Sequence, residues 1–184
     1  MRAFRRSGPM ISMKLTDYEV TLLESLVEQF AGLLEADGET RIPADPFERW
    51  QAELDAPEPL DRSDPVIQRL FPDAYAENAE ASEEFRRLTV SRQRADRLGQ
   101  AEVVLSALRD SEVGRHPVQV RVIELDTWLK TLTAVRLSLA VRLGIQTPED
   151  ADDLDGLGED DPRSYLYRVY EWIAYLTESL LGLN

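Results

Sequence analysis

The sequence has no cysteine and one histidine among its 184 residues. Without a thiol there is no disulfide, no zinc–thiolate centre, no iron–sulfur cluster and no cysteine nucleophile. One histidine cannot build a multi-histidine metal site. No apolar run approaches the roughly 20 residues needed to cross a bilayer. The opening MRAFRRSGPM is basic but lacks the apolar stretch of a signal peptide. A cytoplasmic protein that does not meet the membrane is expected. No Gly-rich phosphate loop is present either: Gly156-Leu157-Gly158 runs into acids, which repel phosphate. No cofactor is therefore expected.

Positive charge is also scarce, with 21 basic side chains against 35 acidic ones and a net charge of −14. The imbalance is local. Residues 85–145 are net basic, with 11 basic and 6 acidic side chains, while 16–84 and 146–184 are strongly acidic. Such polarity steers partners, although solvated helix faces produce the same pattern. A surface that tracks nucleic acid over its whole extent is excluded, but a local basic face is not.

With 43% hydrophobic residues the chain can bury a real core, and its length fits one domain. The expected fold is mostly α, a helical bundle with a small N-terminal β-hairpin or three-stranded sheet. The hairpin would form around Ser7-Gly8-Pro9, and Val118, Val120 and Val122 suggest a third strand. Helices are predicted over 16–36, 63–70, 80–109 (with a break near Thr89), 124–143 and 162–181. Thr16 and Glu19 read as a capping box, Asp64-Pro65 and Asp161-Pro162 as helix starts, and Gly144 as a stop. On the first helix Tyr18, Leu22, Leu26, Phe30, Leu33 and Leu34 form the expected buried stripe. Two acidic loops are predicted, over 37–62 and 146–161, with Trp50 the one large apolar group in the first.

Several polar and aromatic groups are candidates for function. Arg86, Arg87, Arg94 and Arg97 could form a basic patch for an acidic partner or nucleic acid, with Tyr75 as a stacking surface. The competing reading is a set of surface ion pairs. Arg2, Arg5 and Arg6 read as a basic arm or as a solvated strand edge. Arg136 falls on an inward stripe, where a guanidinium needs a carboxylate. Glu171, Glu178 and Glu84 are its expected partners, in a buried ion pair. Tyr165, Tyr167, Tyr170, Trp172 and Tyr175 crowd the last helix. Of these, Tyr167, Tyr170 and Tyr175 are candidates for an outward interface with a partner or a second copy. The run Asp150–Asp155 fails as a calcium loop, because with Gly156 sixth, Ala151 and Pro162 occupy positions that need carboxylates. No metal site is expected, and no triad surrounds His116.

Several segments taken in order are more specific than any alone. They are Leu70-Phe71-Pro72-Asp73-Ala74-Tyr75, Glu83-Glu84-Phe85-Arg86-Arg87-Leu88-Thr89, and Trp128-Leu129 with Val135-Arg136-Leu137-Ser138-Leu139. Arg142-Leu143-Gly144-Ile145, Tyr170-Glu171-Trp172-Ile173 and Leu176-Thr177-Glu178-Ser179-Leu180 follow. Phe4-Arg5-Arg6 and Gln29 to Leu34 fit the same pattern. Together they resemble the actinobacterial domain-of-unknown-function family that includes the oxidative-stress regulator AosR. That resemblance implies a regulator rather than an enzyme, acting through protein contacts with RNA polymerase and a sigma factor. The neighbourhood of family genes suggests an alternative, an accessory or adaptor protein for Clp-type proteolysis. The family's redox response uses paired cysteines, so thiol sensing cannot extend to this chain.

Overall fold

The computed structural model describes residues 3–35, 60–75, 77–158 and 160–183. The expected loop over 37–62, with Trp50, lies almost wholly outside them, as does Arg2.

Two strands come first, β1 (Arg5–Ser7) and β2 (Met10–Met13). Gly8 takes a φ of 60° between them, as a tight reversal requires. Arg5 faces Ser12 and Ser7 faces Met10 across the antiparallel pair. β3 (Val118–Arg121) joins the far side of β2, with Met10 opposite Arg121 and Met13 opposite Val118. Ile11, Met13, Val118 and Val120 point into the core by the period of two. The three-stranded sheet is the one anticipated from the alternating valines, except that Val122 lies just beyond the strand, in a 3-10 turn.

Six α-helices follow among the described residues: α1 (Asp17–Glu35), α2 (Pro65–Leu70), α3 (Ala79–Asp110), α4 (Leu125–Leu143), α5 (Pro148–Asp155) and α6 (Pro162–Leu181). A 3-10 turn, Val122–Glu124, leads into α4. The start signals work as read. Thr16 and Glu19 exchange reciprocal bonds: the Thr16 N–H donates to the Glu19 carboxylate at 2.8 Å, and the Glu19 N–H to the Thr16 hydroxyl at 3.2 Å. Asp64 and Asp161 accept from the first turns of α2 and α6. Gly144 ends α4 with a φ of 77°.

α4 is the central helix and packs against α1, α2, α3 and α6. Its Trp128 and Leu132 are fully buried. The Phe4 ring, 6.1 Å away and nearly perpendicular, meets the Trp128 indole edge-to-face.

Three expectations are corrected. The segment 146–161 is not all loop. Thr147 and Asp150 form a second capping box around Pro148 and start α5. α3 runs through Thr89 without a break, the hydroxyl of that residue donating back to Phe85 O. In its N-terminal half Phe85 and Leu88 are exposed, whereas Val90, Leu105 and Leu108 are buried. Finally, the core stripe of α1 is Val20, Leu23, Val27, Phe30 and Leu34. Of the expected stripe, Phe30 and Leu34 belong to it, while Tyr18, Leu22, Leu26 and Leu33 lie about a third of a turn round the helix and are half-buried or exposed.

Candidate binding groove between the first and last helices

The expected arginine patch does not assemble. Arg86 binds Asp73 at 3.0 Å and is largely covered. Arg94 donates from Nε to Leu34 O at 2.5 Å, at the end of α1. Arg97 donates from Nη2 to Leu70 O at 3.1 Å, at the end of α2, with its guanidinium 5.1 Å from the Phe71 ring centre. Of the four, Arg87 alone is exposed. Two of the arginines are thus helix-end caps contributed from a neighbouring helix, a favourable use of positive charge against exposed carbonyls. Tyr75 is exposed, but its ring meets Phe85 edge-on.

Arg136 is corrected as well. No carboxylate lies within ion-pair distance among the described residues. Its Nη2 donates to the Tyr170 hydroxyl at 3.0 Å, and its Cζ stands 4.6 Å from the Tyr170 ring centre. The Nε atom is buried without a partner among the described residues. Glu84, Glu171 and Glu178 are exposed. The cation is thus stabilised by a π face and a phenol rather than by opposite charge. Tyr167 and Tyr170 are buried and stacked at 6.0 Å, and Tyr175 is half-buried against the core. These three rings do not form an outward interface. Burial and the nearby Glu171, Asp155 and Asp152 push the Tyr167 phenol up. His116 is exposed, 4.0 Å from Glu112.

The exposed aromatic pair is a different one. Tyr18 opens α1 and Tyr165 opens α6, and their hydroxyls share a hydrogen bond of 2.7 Å. Tyr18 is 59% exposed and Tyr165 48%. That shared bond, with some burial, holds the Tyr165 phenol above its ordinary value. The two rings bridge a groove between α1 and α6. Leu22, Val169 and Trp172 line this part, which has a volume of about 310 Å³. Further along, Leu26, Leu33 and Leu166 continue the apolar lining over α4, and Arg142 stands at the edge. The displaced stripe of α1 is one wall of this groove. Its period-four spacing was visible in the sequence, but not that its leucines would pack at the margin of the core and stay half-buried. The Tyr18–Tyr165 pairing joins residues 147 apart and carries no local signal.

The sequence matches one family model over residues 1–183, described as a domain of unknown function, DUF2017. The chain belongs to the DUF2017 family. No curated protein matches it, and no solved structure does. The groove of this DUF2017 chain offers apolar surface and aromatic edges, with Glu19 and Arg168 as its charged neighbours at the tyrosine end. Glu19 is already engaged in the α1 capping box. Among the described residues no three of His, Asp and Glu converge to hold a metal ion, and no helix is long and apolar enough to cross a membrane.

Proposed function

We propose that this DUF2017 chain is a non-enzymatic regulatory protein that binds another protein in the groove between α1 and α6. The observation that carries the reading is the exposed Tyr18–Tyr165 pair set over Leu22 and Trp172. Exposed aromatics grouped over apolar side chains are the composition of interface centres. The lining is suited to burying hydrocarbon, and supplies little for moving protons. The finer reading, an AosR-type regulator associated with RNA polymerase and its sigma factor, rests on the resemblance of the ordered segments described above.

The test is capture of partners from native lysate by the tagged chain and by Leu22→Asp and Tyr165→Ala variants, with folding checked by circular dichroism. Recovery of polymerase or sigma subunits by the parent chain, and their loss with the folded variants, is expected. Equal recovery by the variants would remove the groove from the reading. Recovery of neither subunit by the parent would remove the transcription partner.

A further inference from the structure

On the other side of α4 from the groove, a second cleft runs between α3 and α4. Gln93, Arg97 and Gln100 occupy positions i, i+4 and i+7 of α3, so they share one face. Leu129, Thr133 and Leu137 occupy i, i+4 and i+8 of α4 opposite them. All six line the cleft, which has a volume of about 480 Å³. That size is ordinary for a small-ligand site.

The cleft holds an electrostatic imbalance. Arg97 is half-buried, and no carboxylate is within ion-pair distance of it among the described residues. One nitrogen, Nη2, serves Leu70 O, and the Phe71 ring centre lies 5.1 Å from the guanidinium, so its charge is met in part. Nε and Nη1 donate to no described residue. Burial pushes the guanidinium below its usual range, yet arginine stays protonated in proteins. Withdrawing a cation from water is costly unless an opposite charge compensates it. The amides of Gln93 and Gln100 and the Thr133 hydroxyl likewise make no hydrogen bond to a described residue. Lys130 on the rim is held by Asp126 at 2.7 Å. Asp96 also lines the cleft, as an exposed carboxylate that solvent screens.

We propose that this cleft binds a small amphiphilic carboxylate. Its carboxylate would accept from Arg97, with Gln93, Gln100 and Thr133 completing the hydrogen bonds. Its hydrocarbon would lie along Leu129 and Leu137. The site is independent of the protein-binding groove, and its failure would leave that reading intact.

The probe is decanoate, titrated below its micellar concentration into the full ¹⁵N-labelled chain and followed by NMR. Decanol serves as the uncharged control. Saturable shifts at amides 93–100 and 129–137 are expected, with decanol at least tenfold weaker. Arg97→Gln should weaken decanoate at least tenfold. Because Arg97 also caps α2, a second variant is needed. Thr133→Phe changes an exposed position, fills the cleft, and should abolish binding without lowering the melting temperature. Equal affinity for decanol, undiminished binding by either folded variant, or shifts confined to the α1–α6 groove would each overturn the proposal.

Discussion

The Arg94 guanidinium of α3 caps the carbonyl of Leu34 at the end of α1. α1 has no basic residue in its own last turn. The charge its C-terminal end favours is supplied from 60 residues away in sequence. Arg94→Met keeps much of the packing stem and removes the donor. It should destabilise the fold by about 1.5–3 kcal/mol, the range for a hydrogen bond to a charged group. Urea unfolding at neutral pH checks this, and a midpoint within error of the parent would rule the cap out as a stabilising contact.

Arg136 and Tyr170 should be coupled, and Arg136 should be indifferent to the glutamates once expected to pair with it. Tyr170→Phe keeps the ring under the guanidinium and removes the hydroxyl. In a double-mutant cycle with Arg136→Met, a coupling energy of about 0.5–1.5 kcal/mol is expected. Glu171→Gln and Glu178→Gln should each stay within about 0.5 kcal/mol of the parent, as exposed substitutions do. A loss several times larger from either would restore the ion pair.

The turn after α3 stores backbone strain. Glu112, Val113 and Gly114 are consecutive and all have positive φ, at 49°, 56° and 80°. For a β-branched residue this conformation costs about 1–2 kcal/mol. Val113 is also 54% exposed, so its side chain gains little by burial. Val113→Asn should therefore raise stability by about 1 kcal/mol. Gly114→Ala should act in the opposite sense and lower it by about 2 kcal/mol or more. A Cβ there would meet the Leu15 carbonyl oxygen at 2.9 Å. Thermal melts of the two variants should move in opposite directions, and a common direction would contradict the strain assignment.

Acid should loosen the start of α5. Asp150 accepts from the backbone N–H groups of Gln146 and Thr147, each at 2.8 Å. These bonds hold its carboxyl below the ordinary value of 3.8. The unfolded chain therefore binds this proton more readily than the folded one. The contribution is complete above that ordinary value and is lost as pH falls through the lower folded-state value. Asp150→Asn should flatten the decline of stability across this acid range and leave its slope near neutrality unchanged. Unfolding curves at stepped pH distinguish the two, and identical acid slopes would refute the assignment.

Local signals in the sequence located most elements. Thr16 with Glu19, the two Asp-Pro starts and Gly144 each act within one helical turn, and each performs the predicted job. α5 escaped because its acidic composition resembles a solvated loop, and Asp150 stands where a capping box usually has Glu or Gln. The stripe on α1 was misassigned for a different reason. Its apolar arc is wide, and periodicity alone does not say which part of a wide arc meets a neighbour. Arg136 was recognisable as a residue that needs a partner, whereas Arg94 and Arg97 read as part of a surface patch or as surface ion pairs. The carbonyls and the aromatic ring that these arginines meet lie between 27 and 60 positions away, a distance that no spacing rule spans.

The Phe4 N–H donates to the Ser179 hydroxyl at 2.7 Å, across 175 positions of sequence. Arg6 similarly reaches the carbonyl of Leu183. Ribosomes add about 5–20 residues per second. On that clock β1 leaves the exit tunnel roughly ten to thirty seconds before the helix that fastens it. β3, the sheet's third strand, also emerges long after the hairpin. The first strand made is among the last to be secured, and a nascent chain stalled before α6 would present it loose to proteases and chaperones.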